Sequence, residues 1–338
     1  DRPVTAMGEV GSPLLESKRE WIQHGESGLW ISDWLPRHSA IADELCVIRS
    51  CVSDGINHAG GVSQMNTGSV FGGRPSLGAW VNYGLGSVSD NLPAFTVIKD
   101  SNAMVVNGTR CWGSGFMPAS YQGTLFESGE EPVANLNLPK GMTEKRQRGK
   151  LAFLERLNKG HLKERQSNVE LEARIRSYEL AYRMQAEAPE AIDLESESVG
   201  VKKLYGLEED DTKVFGRQCL MARRFAEAGV RFIELTHEGW DQHNSLSAKL
   251  TSNCQATDLP IAGLISDLKQ RDMLKDTLIV WSGEFGRTPA VRRPDGRDHN
   301  ATGYTVWMCG AGVKGGMRYG ATDDFGIAAV QDRMHVHD

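Results

Sequence analysis

Val230-Arg231-Phe232-Ile233-Glu234-Leu235, and then Thr277-Leu278-Ile279-Val280-Trp281, are the two runs whose reading decides the fold. Both are short, apolar and rich in β-branched or aromatic residues, which is the composition of a strand. Ala248 to Leu274 between them is long enough for a crossover helix, so the three segments read as a right-handed βαβ unit. Thr305 to Cys309 follows as another strand, and Leu45-Cys46-Val47-Ile48 is an earlier one. Strands separated by helical crossovers predict an α/β fold, three layers α/β/α around a largely parallel central sheet.

Working outward, Phe215 to Ala228 is a helix stopped by Gly229, and Leu92 to Lys99 is a strand. Trp34 to Leu45 is an amphipathic segment leading into the first strand. Asn57 to Gly86 is rich in glycine and small residues, with Leu77, Trp80, Val81 and Leu85 at helical spacing. Pro75 suits the first turn of that helix. Val105 to Gly123 is loop-like. From Thr143 to Ala188 the composition turns to Glu, Lys, Arg, Leu and Ala, which predicts a helical hairpin broken near Gly160 and closed by Pro189. Its charge-rich faces need solvent, so the hairpin is expected to lie outside the sheet core, inserted at 143–188 in a single domain of 1–338. The chain opens on Asp1 and stops at Asp338, and reads as a domain trimmed at both ends.

A chain of 338 residues, 40% of them hydrophobic, can bury a full core. A formal charge of -6 with no basic stripe argues against a nucleic-acid partner, while a small sulfate or phosphate ester stays compatible. No apolar run approaches the roughly 20 residues of a transmembrane segment. The six cysteines are scattered without a C-x-x-C pair, which predicts buried or free thiols rather than a zinc ribbon.

Three loops beside the strands carry chemistry: Trp240-Asp241-Gln242-His243, Gly283-Glu284-Phe285-Gly286-Arg287 and Arg297-Asp298-His299-Asn300. In α/β sheets ligands gather beyond the carboxyl ends of the strands. Asp241 and His243, two apart on an irregular loop, can converge on one ion or serve as ordinary capping and surface residues. Glu284 and Arg287 read either as a carboxylate ligand beside an anion-binding arginine or as a salt bridge. Carboxylate with imidazole suits zinc, manganese or iron better than calcium or magnesium, which prefer oxygen alone. His58 stands before Met65-Asn66-Thr67-Gly68, and a lone histidine is more often hydrogen-bonded structure than a nucleophile.

Asn57-His58, Met65 to Gly68, Gly73-Arg74-Pro75-Ser76, Tyr178 to Gln185, Gly239-Trp240-Asp241, Gly283 to Pro289, Gly296 to Asn300 and Gly315 to Gly320 together resemble a bacterial family known as domain of unknown function 1501. That family is abundant in planctomycetes and often labelled sulfatase-like, and the resemblance covers nearly the whole chain. It implies an alkaline-phosphatase-like fold in the alkaline-phosphatase and sulfatase superfamily, whose members hold one or two metals and attack a phosphate or sulfate ester. By order along the chain it implies Asp241, His243 and His299 as one metal site and Glu284 as a carboxylate for a second, with Phe285 where phosphatases carry a histidine. The attacking cysteine, serine or threonine of that superfamily stands nine residues before a Thr-Gly step, and His58 occupies that place before Thr67-Gly68.

Two functions follow as expectations. One is a metal-dependent hydrolase of sulfate or phosphate esters, with zinc or manganese at Asp241, His243, Glu284 and His299, and with Arg287 and His58 as catalytic residues. There His58 is a base, a phospho-acceptor or a further ligand. The other is a fold that has lost its nucleophile and binds a sulfated or phosphorylated glycan or serves as a surface scaffold. The resemblance also implies export to the periplasm or cell surface.

Overall fold

The computed structural model describes residues 13–100, 104–129, 132–133, 136, 138, 140–164, 169–290 and 295–338. A hairpin of β1 (Trp21–His24) and β2 (Leu29–Ser32) precedes a 3-10 segment, His38–Glu44, and β3 (Cys46–Val52). Then come α1 (His58–Thr67), α2 (Leu77–Leu85), β4 (Phe95–Lys99) and β5 (Thr124–Glu127). The long helices α3 (Glu144–Glu164) and α4 (Val169–Ile192) lead to α5 (Val199–Leu204), α6 (Lys213–Glu227), β6 (Phe232–Leu235) and α7 (Leu246–Gln270). The last part is strand-rich: β7 (Ile279–Trp281), β8 (Gly286–Arg287), β9 (His299–Asn300), β10 (Tyr304–Cys309), β11 (Arg318–Tyr319), β12 (Ala321–Thr322), β13 (Ala329–Gln331) and β14 (Met334–His335).

The elements are those of an α/β protein, but they form more than one sheet. β5, β4 and β6 pair in parallel, with Phe95 opposite Phe232 and Thr96 opposite Thr124. A second sheet runs β11-β3-β10-β7 with β14 also on β3, and β10 is antiparallel to both β3 and β7. The expected single, largely parallel sheet containing both 230–235 and 277–281 is therefore corrected. α7 packs against α6 on one side and the 38–44 segment on the other, so it carries the chain from the parallel sheet to the mixed one. No helix lies in the described part of 282–303, and without a crossover helix the chain returns as an antiparallel β10.

One apolar core joins the two sheets. Ile98 and Phe126 from the parallel sheet, Trp307 and Cys309 from the mixed one, Leu45 just before β3, and Leu220, Phe225, Ile265 and Leu268 from α6 and α7 belong to the same buried cluster. Each such side chain contributes on the order of 1.5–3 kcal/mol through burial. The six cysteines are buried free thiols. β7 is an edge strand, with Val280 and the preceding Leu278 half-exposed.

Three local expectations are also corrected. α2 begins at Leu77, capped by the Ser76 hydroxyl accepting from the Ala79 amide, so Pro75 precedes the cap rather than opening the helix. Its small residues Gly78 and Ala79 face the core, leaving Leu77, Trp80 and Leu85 on the solvent side. Two helices form where the hairpin is expected, but α3 runs through Gly160, α4 runs through Pro189, and Met184, Ala188 and Ala191 enter the main core. The charged part of the hairpin is exposed, whereas the last turns of α4 are core.

A buried charge network locks α6 to its neighbours. Arg223, 2% exposed, pairs with Glu197 at 2.7 Å, with Asp267 at 3.1 Å and with Glu227, while the Tyr205 hydroxyl donates to Asp267 at 2.9 Å. Removing the guanidinium would take one of two arginine partners from each buried carboxylate, leaving Glu197 to Arg224 alone and Asp267 to the more exposed Arg271 alone. Arg223→Ala is expected to lower unfolding free energy by about 3–5 kcal/mol, read by urea denaturation.

Glu234 on β6 alternates with the core-facing Ile233 and Leu235, so it shares its face with Phe232 in the smaller cluster of Phe95, Val97, Cys111 and Trp112. Burial pushes its pKa up to about 7. The folded state then holds this proton more tightly than the unfolded chain, so the contribution is full below the ordinary carboxylate value and is lost as pH rises through about 7. Glu234→Gln should raise the thermal midpoint near pH 8 and leave it almost unchanged near pH 4, where both states are protonated.

Candidate metal centre

Each side chain of the centre reaches it from a different connection. His58 is the first residue of α1, and the Asn57 side chain caps that helix by accepting from the Gly60 amide at 3.0 Å. Asp241 and His243 lie on the loop between β6 and α7. His299 lies on β9, where it pairs with Arg287 of β8. α1 approaches this group closely because Gly61 has no side chain: a Cβ there would stand 2.9 Å from Glu284 and Phe285.

The structure brings His58, Asp241, His243 and His299 together, with one ligand atom of each within 4.8 Å of all the others. Four of these separations are close to those around a single ion. Asp241 Oδ1 is 3.0 Å from His243 Nε2, 3.2 Å from His58 Nε2 and 3.6 Å from His299 Nε2, and the last two rings of the loop cluster, His243 and His299, bring their Nε2 atoms to 3.0 Å. Four ligands at about 2.0–2.1 Å from a tetrahedral ion stand roughly 3.3 Å apart. This His/Asp cluster could hold a metal ion.

The far nitrogens of two rings are held so that their Nε2 atoms face inward. His58 Nδ1 lies 2.6 Å from Glu284 Oε1, and His299 Nδ1 lies 2.8 Å from the Ile56 carbonyl, an acceptor to which it must donate. An acceptor on Nδ1 fixes the tautomer whose Nε2 lone pair is available, which is how second partners prepare imidazole for a metal. Among the described residues the buried His58 Nε2 makes no hydrogen bond of good geometry, although Asp241 is near. Such an orphaned atom aimed at three other ligand atoms fits a site for a cation.

Electrostatics divide the histidines. The Glu284 hydrogen bond holds His58 above the usual imidazole range against the opposing effect of burial. Burial holds His299 below that range, helped by the positive charge of Arg287. Burial opposes ionisation of Asp241, but Arg287, His58 and His243 outweigh it and keep its carboxyl below the usual range. Glu284 behaves alike, with His58 overcoming its burial.

Glu284 thus stands behind His58, outside the group of four, and Arg287 pairs with Asp241 rather than Glu284. Arg287 Nη2 is 2.8 Å from Asp241 Oδ1 and donates to the Trp240 carbonyl at 3.1 Å, while its Nη1 is buried without a hydrogen-bond partner among the described residues. Phe285 lies against His299, ring centroids 4.3 Å apart, and 5.4 Å from His58, forming an apolar wall. Sequence reasoning gave no role to that wall, to the Ile56 carbonyl or to Asp298, whose Oδ1 accepts from the His299 amide at 2.8 Å. A backbone carbonyl leaves no signature in sequence. Asp298, directly before His299, could have been weighed as its positioning residue.

Among the described residues no helix is long and apolar enough to cross a membrane. No curated protein and no solved structure matches the chain at a significant level. The family profile described as "protein of unknown function (DUF1501)" matches residues 1–338, so the chain belongs to the DUF1501 family.

Proposed function

We propose that the protein is a metal-dependent hydrolase of sulfate or phosphate esters, using one zinc or manganese ion held by His58, Asp241, His243 and His299. The observation that carries this reading is the convergence of the four ligand atoms, all within 4.8 Å of one another and 3.0–3.6 Å apart where Asp241 meets the three rings, beside an Arg287 Nη1 without a partner among the described residues. A divalent ion there supplies Lewis acidity to an ester oxygen and lowers the pKa of adjacent water. The residues supply the rest. Asp241, 48% exposed, marks the open side of the centre. Arg287 Nη1 offers a charge-assisted hydrogen bond to a tetrahedral anion arriving there. Glu284 keeps the proton of His58 on Nδ1, and Phe285 excludes water from the inner wall. On this reading His58, at the place of the superfamily's attacking residue, has become a ligand.

A second reading has its own support. Four protein ligands complete a tetrahedral site, whereas catalytic zinc sites usually keep one position open, and no hydroxyl or thiol stands at His58. That favours a member of the fold that binds a sulfated or phosphorylated glycan without cleaving it.

Metal analysis with paired assays separates the two. Zinc- or manganese-loaded protein is expected to hold one ion per chain and to hydrolyse p-nitrophenyl sulfate or p-nitrophenyl phosphate. Arg287→Ala should retain the ion and lose about 10²-fold or more in kcat/KM. Glu284→Gln should weaken zinc binding by about 10–100-fold, the usual effect of losing a ligand's outer partner. One ion per chain with no turnover of either ester would support the binding reading, and His58→Ala with unchanged zinc affinity would remove His58 from the ligand set.

A further inference from the structure

We infer a second ligand site, for a polyanionic oligosaccharide, on the side of α1 away from the metal centre. Gly61 turns toward Glu284 and Phe285, whereas Ala59, Gly60, Ser63 and Thr67 line a cavity of about 200 Å³ on the helix's other side. This cavity shares Gly72, Gly73 and Arg110 with a larger one of about 530 Å³, whose walls also include Arg74, Gly113 and Gly115. The walls are built to meet. A Cβ on Gly115 would lie 2.3 Å from the Arg74 backbone, the Ser76 amide donates to the Gly113 carbonyl at 3.1 Å, and Asn107 Nδ2 donates to the Ala59 carbonyl at 2.7 Å.

Two observations define the occupant. Arg74 and Arg110 both border the larger cavity, both are exposed, and neither has a carboxylate partner among the described residues. Two unpaired guanidiniums in a chain of net charge -6 are a local anion site set against the overall field. Next to Gly115, Phe116 is 71% exposed and meets Trp80 edge-on at 6.0 Å, and Trp80 continues to Tyr83 at 6.3 Å. Trp80 and Tyr83 are themselves 45% and 59% exposed, so the aromatic strip leads away from the cavity toward solvent. Exposed rings of this kind offer flat apolar faces to the C–H face of a sugar while leaving its hydroxyls wet.

A single small anion would use the arginines and leave the rings idle; a lipid tail would use the rings and leave the arginines unpaired. A sulfated or phosphorylated sugar chain uses both. Single-stranded nucleic acid also combines basic grooves with stacking rings, but such a groove tracks roughly 4 to 16 nucleotides of backbone, and two arginines among glycines make only a short basic stretch. The site stands apart from the four ligand residues, so binding here does not depend on the hydrolytic reading. Only its role as a substrate-holding surface for that reaction does.

The test is titration calorimetry of the intact protein with dextran sulfate, with unsulfated dextran, inorganic sulfate and oligothymidylate as comparisons. Dextran sulfate should bind, dextran and inorganic sulfate should bind far more weakly, and added salt should weaken the binding. The double variant Arg74→Gln/Arg110→Gln should lose roughly tenfold or more in affinity. Trp80→Ala/Phe116→Ala should lose about threefold or more. All four side chains are exposed, so the thermal midpoint of each variant serves as the folding control. The arginine variant should keep the parent's zinc content and its turnover of p-nitrophenyl esters, because Arg74 and Arg110 lie outside the four-residue cluster, so the failure of the metal reading and of this one are separable. The inference is overturned if dextran sulfate does not bind, if the arginine variant binds it as well as the parent, or if oligothymidylate binds more tightly.

Discussion

Two imidazole Nε2 atoms 3.0 Å apart, both beside one carboxylate oxygen, are the constraint on which the candidate site depends. Two lone pairs cannot face each other at that distance without a positive centre between or beside them. His299 has spent its proton-bearing nitrogen on the Ile56 carbonyl, so its Nε2 can only accept. A proton on His243 or a metal ion satisfies the pair, and the same position also lies within reach of His58 Nε2 and Asp241 Oδ1. The protein invests in that position. Glu284 orients one ring, a backbone carbonyl orients another, Phe285 walls off water, and Gly61 gives up its side chain so that α1 can approach.

The architecture explains how four residues far apart in sequence meet. α1 follows the end of β3 in the mixed sheet, the 236–245 loop follows the end of β6 in the parallel sheet, and β8 and β9 form a small ladder after β7. The shared core of α6, α7 and both sheets fixes the ends of those strands relative to one another. The Arg223 network keeps α6 in register with α7 and with the turn that carries Glu197. Packing distant from the centre therefore sets its distances.

Much of this was legible in the sequence, and the rest was hidden for identifiable reasons. Asp241, His243 and His299 stood out because carboxylate and imidazole recur after apolar runs, and those runs do become β6, β7 and neighbouring strands. The partition into sheets was not legible, since an apolar run such as 277–281 says that a strand exists and nothing about which neighbour it will pair with. An exposed edge like Val280 reads the same as a buried strand. Trp80 and Leu85 mislead similarly: helical spacing announces an apolar face, but in α2 the core takes Gly78 and Ala79, because Phe95 leaves no room for a larger residue. Pro189 failed as a helix end because the final turns of α4 bury Ala188 and Ala191, and tertiary packing outweighs the lost backbone hydrogen bond. His58 was visible only as a histidine before Thr67-Gly68, since the Glu284 contact that turns its Nε2 inward spans the chain.

The most direct test of the centre is X-ray absorption spectroscopy of the zinc-loaded protein. The account predicts a first shell of about four nitrogen and oxygen atoms near 2.0–2.1 Å, without sulfur, with outer-shell scattering from three imidazole rings. Zinc bound with scattering from no imidazole, or with sulfur in its first shell, would place the ion elsewhere and contradict the assignment of His58, Asp241, His243 and His299 as its ligands.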